Sequence, residues 1–181
     1  MQTHSNDPDR DDPFGRFRRD HARVLAQADQ LERQVLAAAV TPDEALLGEA
    51  VELLRRQFAT HMTAEEAVLY PAIQLAFPSG RSTLEALRED HVELRLMLAT
   101  ISRWLEAARS PERDEQVQVV LRDLIDLLRL HIHREESAVF VVASRVLSDD
   151  EAGELARQIS ALVDLNPPPG IEPGSTKGMN S

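Results

Sequence analysis

Residues 61–71 read HMTAEEAVLYP, and residues 131–141 read HIHREESAVFV. Each is a histidine, three residues, two glutamates and then an apolar patch, and the two copies stand seventy residues apart. A histidine and a glutamate four residues apart share one helix face, one turn from each other. Both pairs interrupt an apolar seam. Before the first, the seam is Leu47, Val51, Leu54 and Phe58; it continues through His61 and Glu65 to Leu69. Before the second it is Val117, Leu121, Leu124 and Leu128; it continues through His131 and Glu135 to Val139.

Two more seams precede these. One is Phe14, Phe17, His21, Val24, Ala28, Leu31 and Val35; the other is Leu84, Leu87, His91, Leu94, Leu98, Ile101 and Leu105. Steps of three and four residues are the period of an amphipathic helix. Every position of the first seam reappears seventy residues on in the third, and every position of the second in the fourth. The chain is thus a helical hairpin written twice. The expected fold is all-α, an antiparallel up-down-up-down four-helix bundle with an internal hairpin repeat and a short C-terminal helix.

The punctuation agrees with the seams. The first helix is expected over about 16–39. Thr41-Pro42-Asp43-Glu44 reads as a capping box opening the second helix, and Pro71 bends or ends that helix. Residues 77–80 (FPSG) make a turn before a third helix from about Ser82. Residues 110–115 (SPERDE) open the fourth helix. Residues 148–151 (SDDE) form another capping box, opening a helix to about Leu165. The expected division is a flexible tail over 1–14, a bundle domain over 15–165, and a disordered Pro-, Gly- and Ser-rich tail over 166–181.

Composition narrows the function. The chain has 181 residues, no cysteine and a net charge of −11. Thiol chemistry, thiolate zinc and cysteine-held iron–sulfur clusters are excluded. The acidic balance argues against nucleic acid and anionic membrane as partners. No signal peptide and no apolar run of about 20 residues is present, so the expected location is cytoplasmic.

The histidines carry the chemistry. His21, His61, His91 and His131 sit where the seams call for Leu or Val. Twenty residues separate His21 from Thr41, and twenty more separate Thr41 from His61. At a rise of ~1.5 Å per residue the chain runs ~30 Å out and ~30 Å back, which returns the two histidines to one level. The same count joins His91 and His131. One layer should therefore hold four imidazoles and the carboxylates of Glu65 and Glu135. Buried unpaired carboxylates are costly, and metal cations relieve that cost. A mixed nitrogen and oxygen donor set suits iron, manganese or zinc. Of the remaining histidines, His4 lies in the N-terminal tail. His133 points ~200° away from His131 and should be solvated.

These residues resemble the hemerythrin-like family, the HHE cation-binding domains. The family pattern H…H-x-x-x-E…H…H-x-x-x-E is met by His21, His61 with Glu65, His91, and His131 with Glu135. The stretches RRDHARVL, EDHVELR and HMTAEEAVLYP are similar to those of bacterial members. The resemblance implies a non-haem di-iron centre rather than manganese or zinc. In it Glu65 and Glu135 bridge, His21 and His61 complete one metal, His91 and His131 complete the other, and an oxo, hydroxo or water bridge lies between. Oxygen-carrying members have a further histidine four residues after the one matching His91; here Arg95 stands there. The resemblance then implies one open position on each iron. That points away from reversible oxygen carriage and towards reaction with, or sensing of, hydrogen peroxide, dioxygen or nitric oxide in oxidative or nitrosative stress. Catalase-like turnover is one reading. An oxygen or nitric oxide sensor, iron handling without turnover, and a metal-free structural bundle are the alternatives.

Seven further positions are read from their spacing. Glu66 and Glu136, ~100° round from the glutamates before them, either accept from ring N–H groups or lie on a flank. Asp20 and Asp90 are expected on the solvated face. Arg95 either polarises a bound oxidant or reaches to solvent. Tyr70 is expected to pack, with a hydrogen bond to the site as the alternative. Trp104 reads as core or partner surface.

Overall fold

The computed structural model describes residues 14–36 and 43–165. Its long helices are α1 (Gly15–Leu36), α2 (Glu44–Ala64), α4 (Arg81–Glu106), α5 (Pro111–Arg134) and α7 (Asp149–Leu165). Two short helices, α3 (Tyr70–Ala76) and α6 (Phe140–Val146), continue the lines of α2 and α5. α1 packs on α2 and α5, and α4 packs on α5 and α2, which closes a four-membered ring of helices. The four-helix bundle with a C-terminal helix is as the seams require. Among the described residues there is no strand.

The helix starts follow local capping chemistry. Asp43 caps α2, its carboxylate accepting from the backbone N–H groups of Ala45 (2.9 Å) and Leu46 (3.4 Å). The helix therefore begins at Glu44, later than a Thr41 cap would place it; Thr41 and Pro42 lie outside the described residues. Ser110 caps α5, with Pro111 in the first turn, where its missing N–H costs nothing. Ser148 and Glu151 form the reciprocal box at the start of α7: the Ser148 N–H donates to Glu151 Oε2 (2.8 Å), and the Glu151 N–H to Ser148 Oγ (3.4 Å). The turn before α4 is a 3₁₀ turn, Pro78–Gly80. A Cβ at Gly80 would lie 2.8 Å from Phe77 Cδ1, so a larger residue at this corner would push the Phe77 ring aside.

The core is cut in two. One apolar cluster holds Val24, Leu31, Leu54, Phe58, Leu94, Leu98, Leu124 and Leu128 among others. The other holds Phe14, Phe17, Leu69, Tyr70, Leu84, Leu87, Phe140, Leu155 and Ile159. Along every seam the histidine falls at the boundary: Phe17–His21–Val24, Leu87–His91–Leu94, Phe58–His61–Leu69 and Leu128–His131–Val139. Each fully buried aliphatic side chain contributes ~1.5–3 kcal/mol, so the apolar layers on either side can carry a polar one between them. Trp104 packs on the first cluster.

At the boundary the helices change form. Glu65–Leu69 and Glu135–Val139 are π-helical turns, closed by Tyr70 N–H to Glu65 O and Phe140 N–H to Glu135 O. The extra residue re-phases the helix, so that Leu69 and Tyr70, adjacent in sequence, are both buried. Pro71 does not cause the irregularity, because Val141 stands at its place in the second copy and the same turn forms there. It neither ends nor kinks the helix alone; it sits in the first turn of α3. Helix α7, 17 residues long, packs chiefly on α2 and the first π turn, in the first half of the repeat.

Candidate metal centre

All six histidines and glutamates of the seams meet in the boundary layer, and each is at most 3% exposed. The imidazoles meet as two pairs. His21 Nε2 and His61 Nε2 are 2.9 Å apart; His91 Nε2 and His131 Nε2 are 3.0 Å apart. Glu65 spans the pairs: its Oε1 is 2.8 Å from His61 Nε2, and its Oε2 is 3.3 Å from His91 Nε2. Glu135 presents a single oxygen to both, with Oε2 at 3.2 Å from His21 Nε2 and 3.5 Å from His131 Nε2.

The tautomers are set from outside the layer. His21 Nδ1–H donates to Glu136 Oε1 (2.9 Å), and His91 Nδ1–H to Glu66 Oε1 (2.7 Å). Glu66 and Glu136 therefore take the first of their two expected roles. With the proton on Nδ1, each ring turns an Nε2 lone pair inward. His61 Nδ1 and His131 Nδ1 face Asp20 and Asp90, at 3.8 and 3.5 Å. These contacts are not hydrogen bonds. They correct the expectation of a solvated face, since both aspartates are only part-exposed and turn back towards the layer.

Such a layer has too few protons. An imidazole nitrogen offers one proton or one lone pair, and His61 Nε2 faces both His21 Nε2 and Glu65 Oε1. Both oxygens of Glu65, and Oε2 of Glu135, are buried without a hydrogen-bond partner. Lone pairs and negative charge converging on one point are the surroundings of a cation, so the donor set fits the metal that the sequence pattern suggested. Two overlapping groups meet the ligand geometry: His21, His61, Glu65 and Glu135, and Glu65, His91 and His131, with the donor atoms of each group within 4.8 Å of one another.

The same crowding fixes the protonation of the side chains. Burial opposes a charge on His21, but the carboxylates of Glu135 and Glu65 beside it raise its pKa to about 9. Burial likewise opposes a charge on His61, where Glu65 and then Asp20 overcome it and raise the pKa to about 10. In effect, protons take up part of a cation's role. The two carboxylates cannot share the site equally. Burial and repulsion from Glu65 push Glu135 up to about 7, while Glu65, despite its burial, is held well below the usual range by His61 and His21. Burial takes His131 down to about 3.

Aromatic rings hold the imidazoles. Phe140 stacks on His21 at 5.7 Å, and Tyr70, its counterpart seventy residues earlier, stacks on His91 at 5.8 Å. Tyr70 packs and also takes the alternative role expected of it: its hydroxyl donates to Glu135 Oε1 at 2.6 Å. A signal was present in the sequence, because tyrosine stands five residues after Glu65 where the second copy has phenylalanine. Arg95 neither reaches the imidazoles nor stands free; it donates to Glu66 Oε1 (2.8 Å), the carboxylate already holding His91. His133 is exposed, as expected.

Bundle, paired imidazoles and intervening carboxylates define a helical cation-binding protein. Residues 12–143 match the family described as the hemerythrin HHE cation binding domain, and the chain belongs to that family. No protein of curated function matches it. No helix among the described residues is long and apolar enough to cross a membrane.

Proposed function

We propose that the chain holds a non-haem di-iron centre and uses it to react with, or sense, a small oxidant: hydrogen peroxide, dioxygen or nitric oxide. In this reading His21 and His61 bind one iron and His91 and His131 the other. Glu65 and Glu135, which lie between the two histidine pairs, would be shared by both irons. The observation that carries the reading is the pair of facing imidazole couples bracketing buried carboxylate oxygens that have no hydrogen-bond partner. Bound iron would supply a redox-active Lewis acid that polarises a small oxygen or nitrogen ligand.

The chain's own groups do the rest. Glu66 and Glu136 hold the rings of His91 and His21 with their lone pairs inward. The Tyr70 hydroxyl keeps its proton and donates it in a hydrogen bond to Glu135 Oε1, because burial and the negative charge of Glu65 and Glu135 raise its pKa. The apolar layers above and below keep bulk water out. Iron is preferred to manganese or zinc on the family resemblance. The setting proposed is the cytoplasmic response to oxidative or nitrosative stress, with catalase-like turnover as its enzymatic form, and without nucleic acid or membrane as partner.

Metal analysis after anaerobic purification tests this, with an optical spectrum before and after peroxide. Two irons per chain, near-ultraviolet bands that change on addition, and loss of one or both irons in His61→Ala are expected. A chain that takes up no stoichiometric metal after reconstitution with ferrous iron overturns the centre. A loaded protein that turns over peroxide no faster than free iron removes the catalase form and leaves sensing.

A further inference from the structure

A hollow of about 230 Å³ lies between α1, α2 and α7, on the outer side of His61. Its apolar wall is Phe17, Val24, Ala64 and Ile159; its charged residues are Arg16, Arg19, Arg23 and Asp20. Of the four buried imidazoles, His61 alone lines it, and His61 Nδ1 is buried without a hydrogen-bond partner. On a chain with a net charge of −11, a cavity with three arginines against one aspartate is a local reversal of sign. One of the three, Arg23, lies 3.2 Å from Asp20.

The repeat supplies an internal control. Seventy residues on, Phe17, Asp20, Val24 and His61 keep their character as Leu87, Asp90, Leu94 and His131. The residues that shape and charge the hollow do not. Arg16, Arg19 and Arg23 become Ala86, Glu89 and Glu93, and Gln57 and Thr60 become Leu127 and Leu130. Ala64 becomes Arg134, whose guanidinium lies 3.0 Å from Asp90. Ile159 comes from α7, which packs chiefly on the first half. The hairpin fold therefore does not by itself require the cavity. It arises where the two halves differ.

We infer that this hollow binds a small organic carboxylate, its apolar body on Phe17, Val24, Ala64 and Ile159 and its charge among Arg16, Arg19 and Arg23. The volume falls below the roughly 300–1,000 Å³ of sites for drug-sized ligands, so the guest is small. A wall that is half apolar rewards a body with carbon atoms, which inorganic anions lack. Arginine recognises carboxylates by charge-assisted hydrogen bonds, and Asp20 in the same cavity disfavours a dianion. The inference concerns the outer side of His61 and stands whether or not the inner side holds metal.

Titration of the full, iron-loaded chain with benzoate tests it, followed by methyl NMR and calorimetry, with benzyl alcohol and inorganic phosphate as comparison probes. Benzoate is expected to bind saturably and to shift the methyl signals of Val24 and Ile159, with benzyl alcohol at least about tenfold weaker. Arg16→Ala with Arg23→Glu, which writes the second half's residues into the first, should weaken benzoate by about tenfold or more with metal content unchanged. Thr60→Leu, which leaves the arginines in place, should block the cavity by volume and covers the case in which the charge variant fails to fold. Absence of saturable benzoate binding, equal binding of benzyl alcohol, phosphate binding as tight as benzoate, or a Thr60→Leu variant that binds like the parent each overturns the inference. Repeating the titration on the metal-free chain separates it from the metal reading, since benzoate should still bind there.

Discussion

The Tyr70 hydroxyl lies 2.6 Å from Glu135 Oε1, and no equivalent bond reaches Glu65, because Phe140 occupies the matching place in the second copy. One difference between the halves thus makes two glutamates of identical spacing unequal. Glu65 keeps both oxygens turned to the imidazoles, whereas Glu135 gives one to Tyr70 and one to the layer. Tyr70→Phe should leave Glu135 Oε1 buried and unsatisfied, lowering stability by ~1–3 kcal/mol. Urea unfolding checks the loss. With iron bound, the near-ultraviolet bands should shift while two metals per chain are retained. A variant of parental stability and parental spectrum would mean that the hydrogen bond is idle.

Glu66 and Glu136 hold matching rings but are not equally held themselves. Glu66 Oε1 takes both His91 Nδ1–H and Arg95, and Glu136 Oε1 takes His21 Nδ1–H; the counterpart of Arg95 in the first half is Leu25. Removing a carboxylate that orients a metal-binding imidazole typically costs ~10–100-fold in metal affinity. Glu66→Gln should fall in that range and exceed Glu136→Gln, whose carboxylate is 41% exposed and already shares its charge with water. Competition with a coloured chelator measures both. Equal affinities in parent and Glu66→Gln would remove the orienting role.

The seams made the bundle and its polar layer legible, since helix period and residue count along the axis are properties of the sequence itself. Less legible was anything that depends on lateral geometry. The π turns at Glu65–Leu69 and Glu135–Val139 shift the phase by one residue, and a 3.6-residue period has no symbol for that. Asp20 and Asp90 precede their histidines by one residue, which looks like an exposed flank, yet each faces an imidazole from the neighbouring helix of its own hairpin. Tyr70 reads as packing for the same reason: its partner, Glu135, is 65 residues away. The cavity beside His61 needs α7, which lies outside the repeat altogether.

Metal uptake should release protons. His21 and His61, raised to about 9 and about 10, carry protons at pH 7 when no cation is bound, and a cation competes for the same lone pairs. The sign follows: below these pKa values each rise in pH removes competing protons and strengthens binding. If both protons are displaced, apparent affinity climbs by up to about a hundredfold per pH unit between roughly pH 6 and 8. Calorimetry in two buffers of different ionisation enthalpy counts the protons. Heats that do not depend on the buffer would contradict the assignment of His21 and His61 as the groups displaced.

Stability should respond separately to the apolar layer and to the metal. Leu98 is 1% exposed, in the apolar cluster on the far side of the histidines from Tyr70. Leu98→Ala should cost ~2–5 kcal/mol through lost burial and the cavity left behind, with metal content unchanged. Removing the metal acts on the other layer. A cation present at 100 times its Kd stabilises the fold by ~2.7 kcal/mol, and at ~2–4 °C per kcal/mol for a domain of this size, chelation should lower Tm by roughly 5–10 °C. Thermal melts of parent and Leu98→Ala, each with and without chelator, measure both effects in one experiment. The two shifts should add, because the side chain and the cation share no contact. A chelator shift that vanishes in Leu98→Ala would tie the polar layer to the apolar packing above it, and the division of the core into independent layers would fall.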